Sequence, residues 1–318
     1  MTVKDIDVAC MGILVADVFG RPIDEWPTRG RLSLVDEMGI GIGGCAANTG
    51  IGLAKLGGKV AVVGRVGNDG FGAFVRQTLE ESGVDTSAIV SDPEAGTSGT
   101  MVMVHGDGER SFIHYMGAST RVLPSDMPDD ILARAKVVHI AGTLVMPGFD
   151  GGPAAEVLRR AKQAGATTCL DTVWDPTGRW MELVGPMLPH SDIFLPSISE
   201  AVELTGEIEP PAIAEKLIAA GPSIVGLKQG EHGCYIRTPD DELSLPAFDI
   251  EPIDGTGAGD AFVAGFLRGY LEGWPLEQIG RFASAAGAMA TLAMGTTGGV
   301  GSSAETLAFA ESTTARES

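Results

Sequence analysis

Apolar residues recur along this chain in two patterns: short continuous runs typical of buried strands, and the spacing typical of helices. Strand-like apolar runs lie at 8–15, 60–64, 137–142, 167–171, 192–196 and 223–229. Helical spacing occurs at 46–58, 71–83 and 154–165, and each of these stretches ends at glycine, as helices tend to. Strands that alternate with helices indicate a parallel sheet covered on both faces. We therefore predict an α/β fold with a doubly wound, mainly parallel sheet.

Two stretches depart from this alternation. Residues 31–40 and 97–117 show partial alternation of polar and apolar positions, and HGDGER at 105–110 is a hairpin signal. Half-solvated strands of this kind predict a small antiparallel sheet set off from the main body. We expect a small β lid over a ligand cleft, formed by 12–42 and 97–118. The large α/β domain would comprise 1–11, 43–96 and 119–318.

The segment DGTGAGDAF, residues 254–262, places three glycines directly before a long apolar helix. Backbone N–H groups of Gly257, Ala258 and Gly259 at a helix start would form an anion-binding nest. Asp260 beside them can accept a hydroxyl proton, so the pair is the minimum needed to phosphorylate an alcohol with ATP. The simpler alternative is an ordinary turn with Asp260 in the first helical turn, where a carboxylate suits the dipole.

A second glycine pattern, GIGIGG at 39–44, matches GxGxxG and keeps an NAD-dependent oxidoreductase open as a less favoured alternative. Dinucleotide folds place this loop directly after a buried parallel strand. Here the preceding RLSLVDEM carries three charged residues, which disfavours that interpretation. The sequence contains no GxxxxGK[ST] and no GxSxG, so the Walker-type phosphate loop and the commonest α/β-hydrolase signal are both missing.

Composition limits the partners of the protein. Its 318 residues carry a formal net charge of −20, which argues against binding nucleic acid or an anionic membrane through a broad surface.

The four cysteines form no CxxC pair and lie mostly in apolar runs, as expected of reduced core residues. The N-terminal residues include acids where a signal peptide needs basic residues, and their apolar run is too short to span a bilayer. We expect a cytoplasmic protein.

Four motifs, in family order, resemble the ribokinase-like (PfkB) carbohydrate kinases over most of the chain. DGTGAGDAFVAGF is similar to the C-terminal signature of that family, and GIGGCAANTGIGLAKLGGKVAVVGRVGNDGFG to its N-terminal signature. FLPSISEAVELTG and GLKQGEHG resemble the two segments that flank its nucleotide site. The resemblance implies a ribokinase-like fold and ATP-dependent phosphorylation of a hydroxyl group of a small sugar. It also implies Mg²⁺ as a cofactor and a homodimer formed through the β lid.

The resemblance also implies a role for individual residues. Asp260 would be the general base, and the backbone of Gly257, Ala258 and Gly259 the anion hole. Sugar hydroxyls would be bound by Asp17, Gly43, Gly44 and Asn48. The nucleotide side would comprise Lys228, Gly230, Gly233, Ser197 and Glu200, with Glu200 holding Mg²⁺ through water. A K⁺ ion that raises turnover would be bound by Asp254 and by carbonyls of Ala290, Ala293 and Gly295.

Two positions depart from the family pattern. Ser197 replaces the asparagine of the NxxE motif, and Cys45 stands where ribokinase itself has a lysine, which puts ribokinase proper in doubt. Simpler interpretations remain for Asp17 as a turn acid, Asn48 as a helix cap and Lys228 as a solvated strand-end lysine. The nearest alternative function is a nucleoside kinase of the same fold. A catalytically silent sugar-binding relative is a further alternative.

Overall fold

In the computed structural model, which describes residues 3–316, the chain forms one large β-sheet covered by helices and one small separate β-sheet. The strands are β1 Ile6–Gly12, β2 Val15–Arg21, β3 Glu37–Gly43, β4 Val60–Gly67, β5 Ile89–Asp92, β6 Ser98–Val104, β7 Arg110–Tyr115, β8 Ala135–Thr143, β9 Thr167–Thr172, β10 Ile193–Phe194, β11 Ile224–Lys228, β12 Cys234–Arg237 and β13 Glu242–Leu245. The α-helices are α1 Cys45–Lys55, α2 Gly70–Glu81, α3 Asp129–Arg134, α4 Gly152–Gln163, α5 Trp180–Val184, α6 Ile198–Thr205, α7 Pro210–Ala219, α8 Ala258–Leu271, α9 Leu276–Ala290 and α10 Ser303–Ser312.

The large sheet has the strand order β13-β12-β11-β10-β9-β8-β1-β4-β5. All neighbours from β11 to β5 are parallel, while β12 and β13 extend one edge as antiparallel strands. The chain builds outward from β1 to β5 on one side and from β8 to β13 on the other. The strand order therefore reverses between β1 and β8, and ligands of such folds bind beyond the carboxyl ends of the strands at this point.

The core lies on both faces of the large sheet because buried strands present alternate residues to opposite sides. In β1, Val8 and Cys10 belong to an apolar cluster with Phe266 of α8 and Phe282 of α9. The intervening Ala9 and Met11 face a second cluster that includes α3, α4 and α7 side chains, namely Ile131, Leu158 and Leu217. Helices thus cover both faces, as predicted.

The small sheet has the order β3-β2-β6-β7 and differs in two ways from the prediction. Its β2–β6 pair is parallel, because these strands are joined through part of the large domain and not by a hairpin. The β2–β3 and β6–β7 pairs are antiparallel, as predicted. Residues 31–36 lie outside the strands, where Leu32 and Leu34 are more than four-fifths exposed and have no core to pack against.

The glycine pattern GIGIGG runs through β3, an edge strand of the small sheet, into the residue before α1. Because the pattern lies within a strand that pairs antiparallel with β2, and not directly after a buried parallel strand, it lacks the context of a dinucleotide-binding loop. Within residues 3–316, no helix combines the length and the apolar character needed to cross a membrane.

Candidate active site

Helix α8 begins at Ala258, and its start is shaped by Gly257. This residue has the left-handed φ of 79°, and a Cβ added to it would lie 2.2 Å from the backbone oxygen of Thr296. No side chain caps this end of the helix in the described part of the chain. The Ala258 N–H makes one long hydrogen bond of 3.3 Å to the Gly255 oxygen. Because this bond is long, the Ala258 N–H can face an anion together with the N–H groups of Gly257 and Gly259, which make no such loop bond within residues 3–316.

Asp260 lies in the first turn of α8 and is buried, with 9% of its surface exposed. Asn48 of α1 donates from Nδ2 to its Oδ2 at 2.8 Å. Burial raises the pKa of Asp260 above the ordinary aspartate range, although the bond from Asn48 and the charge of Lys228 oppose this rise. A carboxylate with a raised pKa is a stronger base, so the position suits proton acceptance.

Asn48 was expected to bind sugar hydroxyls, with a helix cap as the simpler interpretation. In the structure its amide nitrogen donates to Asp260, and its side chain does not cap α1. Its Oδ1 is buried and has no hydrogen-bond partner among residues 3–316. A buried acceptor of this kind is costly unless a ligand supplies a donor. One side chain can therefore orient Asp260 and accept a hydrogen bond from a substrate hydroxyl.

Lys228 ends β11 and lies beside the start of α8. Its Nζ donates to Asp171 Oδ1 at 2.8 Å, and a Cβ added to Gly259 would lie 3.4 Å from that Nζ. Its side chain is 13% exposed, so it is not a solvated strand-end lysine. The ammonium therefore adds positive charge to the nest of N–H groups. The thiol of Cys45 adds none, because burial raises its pKa.

Asp171 is a site residue that the sequence analysis missed. It is the penultimate residue of β9, and its carboxylate accepts from Lys228 and is affected by the charge of Glu200. Burial raises the pKa of Asp171 to about 7 although Lys228 lowers it, and the charge of Glu200 acts in the same direction as burial. An acid at the carboxyl end of a buried parallel strand, as in TTCLD, was the signal that would have identified it.

Ser197 and Glu200 form a capping box at the start of α6. The Ser197 N–H donates to Glu200 Oε2 at 2.9 Å, and the Glu200 N–H donates to Ser197 Oγ at 3.4 Å. Thr172 Oγ1 also donates to Glu200 Oε2 at 2.9 Å. Ser197 thus caps the start of α6, at the position where the family motif NxxE has asparagine. Within residues 3–316, no set of three or more His, Cys, Asp or Glu side chains is arranged to hold a metal alone.

Asp17 projects from β2 on the face of the small sheet that carries Thr100 and His114 in neighbouring strands. Burial raises the pKa of Asp17, and a hydrogen bond from Thr100 partly offsets this. A Cβ on Gly43 would lie 2.3 Å from Asp17 Oδ2, and one on Gly44 would lie 2.4 Å from the Ile13 oxygen. Gly43 therefore lets the Asp17 carboxylate approach the backbone before α1, and Gly44 lets the backbone of Ile13 do so.

Asp254 lies at the start of the glycine loop, with both carboxylate oxygens engaged. Oδ1 accepts from the Thr256 N–H at 2.9 Å and from the Arg110 guanidinium, and Oδ2 accepts from the Gly295 N–H at 2.8 Å. Gly295 therefore contributes its N–H to the Asp254 carboxylate.

A cavity of about 350 Å³ extends from the glycine loop along α9. One end is lined by backbone of the loop, at Gly255, Ala258 and Gly259, next to Lys228. The other end is mainly apolar and is lined by Phe248, Ile250, Phe262 and Ala288. Gly230 and Gly233, which the sequence analysis assigned to the nucleotide side, line the same cavity.

Known proteins resemble this chain over most of its length. The family described as pfkB family carbohydrate kinase matches residues 5–301. The chain is 27% identical to 2-dehydro-3-deoxygluconokinase of Bacillus subtilis (strain 168), over 84% of this chain and 85% of that protein. It is 30% identical to probable fructokinase-4 of Arabidopsis thaliana, over 86% and 89%. The structure of Arabidopsis thaliana ribokinase complexed with ribose and ATP has a TM-score of 0.84 at 26% identity, over 96% and 99%.

Two predictions from the sequence are confirmed by these comparisons. The fold is ribokinase-like, with a large, mainly parallel sheet and a small separate one. The family resemblance, inferred from four short motifs, extends over nearly the whole chain. The protein therefore belongs to the pfkB family of carbohydrate kinases.

Proposed function

We propose that this protein transfers the γ-phosphoryl group of ATP to a hydroxyl group of a small sugar, with Asp260 as the general base. One observation carries the proposal. Asp260 is buried in the first turn of α8 and held by Asn48, while Lys228 lies beside the uncapped N–H groups of the same turn. A base and an anion-binding nest therefore lie within one turn of helix.

The chemistry follows from this geometry. Asp260 accepts the proton of the sugar hydroxyl while the oxygen attacks the γ-phosphorus of ATP in line. The N–H groups of Gly257, Ala258 and Gly259, together with the ammonium of Lys228, stabilise the negative charge on the transferred group. Closure of the lid over the sugar excludes water, which would otherwise compete as the acceptor.

The cavity along α9 has the properties needed for ATP. Its apolar end, with Phe248 and Ala288, suits an adenine ring, and its loop end brings phosphates to Gly259 and Lys228. Mg²⁺ would neutralise phosphate charge, and it usually keeps several waters while binding one or two carboxylates and phosphates. Glu200 fits this role through water, because it is buried next to Asp171 and Lys228 at the same edge of the sheet.

The sugar side favours a neutral polyol. Asp17, Asp260 and the unpartnered Oδ1 of Asn48 are hydrogen-bond acceptors suited to hydroxyl donors. A sugar acid would bring its own carboxylate towards Asp17 and Asp260, which repel it. Neutral hexoses or pentoses are therefore preferred as acceptors over keto-deoxy acids.

The outer face of the small sheet supports a homodimer. Ile40, Met101 and Ile113 lie in one row across β3, β6 and β7, and all three are exposed. Met38 and Tyr115 extend this apolar face. An exposed apolar sheet face that lies opposite the site face suits a second copy of the chain.

A coupled ATPase assay over neutral pentoses, hexoses, keto-deoxy sugar acids and nucleosides tests the function. We expect a neutral sugar to give the highest kcat/KM. A nucleoside with the highest value would support the alternative kinase of the same fold. Absence of phosphorylation with every acceptor would contradict the proposal.

A further inference from the structure

Arg110 joins the small sheet to the loop that carries the anion hole. It begins β7, on the same face as His114 and Asp17, and its Nη1 donates to Asp254 Oδ1 and, at 2.8 Å, to Thr256 Oγ1. The side chains of Arg110 and Asp254 are 16% and 2% exposed. Nη2 lies 3.9 Å from the sulfur of Met294. The Arg110 guanidinium therefore contacts two loops beside the start of α8, one at Asp254 and Thr256 and the other at Met294.

This arrangement does not fit the K⁺ ion that the family resemblance implies. A bound K⁺ needs free oxygen ligands, whereas Asp254 Oδ1 already accepts two hydrogen bonds and Oδ2 accepts one, which leaves a single acceptor position. Although burial raises the pKa of Asp254, these donors lower it to about 2, so the carboxylate is ionised and already paired. A second cation at the same carboxylate would be repelled by the guanidinium.

We propose that Arg110 replaces the monovalent cation, so that turnover does not depend on K⁺. This inference rests on the proposed kinase function. Arg110 is a positioning residue, because it acts on the anion hole through Asp254 and Thr256 and not by contact with the reacting atoms. Its planar guanidinium bonds two acceptors at once, which holds residues 254–256 in one conformation before Gly257.

The position of Arg110 on the small sheet has a functional consequence. A diffusible ion would order the glycine loop whether or not the lid covered the sugar. Arg110 can do so only when β7 lies against residues 254–256, so lid closure and assembly of the anion hole become one event. Phosphoryl transfer to water before sugar binding is thereby disfavoured.

The first test uses the unmodified protein. We compare kcat in K⁺, Na⁺ and tetramethylammonium chloride at matched ionic strength, with sugar and ATP saturating. We expect kcat values within about twofold of each other, since a cofactor ion would change the rate by much more. A rise of about tenfold or more in K⁺ over tetramethylammonium would overturn the proposal.

The second test uses Arg110→Ala and Arg110→Lys, with Glu109→Gln as the matched control in the same exposed hairpin. We expect Arg110→Ala to lower kcat by about 10- to 100-fold, because the anion hole loses its fixed geometry. Added K⁺ or millimolar guanidinium should restore part of the rate, and Arg110→Lys should retain part of it without added ions. A purely structural role predicts no rescue by either ion.

The midpoint of thermal unfolding separates this inference from the kinase assignment. K⁺ should raise the midpoint of Arg110→Ala relative to tetramethylammonium and leave the unmodified protein and Glu109→Gln unchanged. This readout needs no substrate, so it remains valid if the proposed activity is wrong. An equal K⁺ effect on all three proteins would contradict the replacement of the ion by Arg110.

Discussion

At the scale of single residues, Asp260 carries the proposed chemistry and can be tested by an isosteric change. Asp260→Asn keeps the shape and the oxygen that accepts from Asn48, but it removes the proton acceptor. We expect folding and ATP binding close to normal and a kcat lowered by about 10²- to 10⁴-fold, the usual effect of a general base. The measurement is kcat at saturating sugar.

The simpler interpretation of Asp260 predicts a different result. A residue that only favours the helix dipole loses little when asparagine replaces aspartate, so stability and rate would barely change. A kcat within about threefold of the unmodified protein would therefore support the structural role and contradict the assignment of the base.

Asp171 makes stability depend on pH. An unfolded aspartate has a pKa of about 3.9, whereas burial raises the pKa of Asp171 to about 7. The stabilisation linked to its proton is fully present below pH 4 and is lost as pH rises through about 7. Asp171→Asn should reduce the fall in unfolding free energy between pH 5 and pH 8, on the order of 1–3 kcal/mol.

Urea unfolding at both pH values measures this effect. The comparison uses the difference between the two pH values within each protein, so a constant loss from the altered bond to Lys228 cancels. Parallel pH dependences in the two proteins would show that Asp171 is already ionised at pH 5.

At the scale of elements, the start of α8 depends on one glycine more than on its neighbour. A Cβ on Gly257 meets the Thr296 oxygen at 2.2 Å and the residue has φ 79°, whereas a Cβ on Gly255 meets nothing within 4 Å. Gly257→Ala should lower the free energy of unfolding by at least about 1–2 kcal/mol and reduce turnover. Gly255→Ala is the matched control and should change stability little.

Denaturant unfolding followed by steady-state kinetics distinguishes the two substitutions. If the glycines were interchangeable turn residues, both variants would lose similar amounts of stability. Equal effects would contradict the argument that the positive φ and the nearby Thr296 backbone require glycine at position 257.

At the scale of the whole molecule, the small sheet has a site face and an apolar outer face. Residues alternate between them, so Asp17 and Thr100 face the site while Val18 and Met101 face outward. Met101 is 56% exposed. We expect the protein to be a dimer in solution and Met101→Glu to shift it to monomer, measured by analytical ultracentrifugation.

Ile208→Glu is the matched control for this experiment. Ile208 is an exposed apolar residue between α6 and α7, outside the small sheet, and its change should leave the dimer intact. A monomeric unmodified protein, or a dimer that survives Met101→Glu, would contradict association through this face.

The sequence by itself determined the features that depend on neighbours along the chain. Apolar runs predicted the parallel strands of the large sheet except β5, helical spacing predicted α1, α2 and α4, and the glycines before Asp260 predicted the shape of the start of α8. These signals are local, because period and backbone freedom are properties of a few consecutive residues. The alternation of polar and apolar positions in 31–36 wrongly predicted a strand, since a strand also needs a neighbouring strand to pair with.

The tertiary structure alone decided which side chains meet. Asn48 and Asp260 are 212 positions apart, Arg110 and Asp254 are 144 apart, and Asp171 and Lys228 are 57 apart. Each pair depends on the order of strands in a sheet or on the packing of the small sheet against the glycine loop. Periodicity shows that a position is buried, but not which residue faces it. The contacts that tune the charges of this site were therefore visible only in the folded chain.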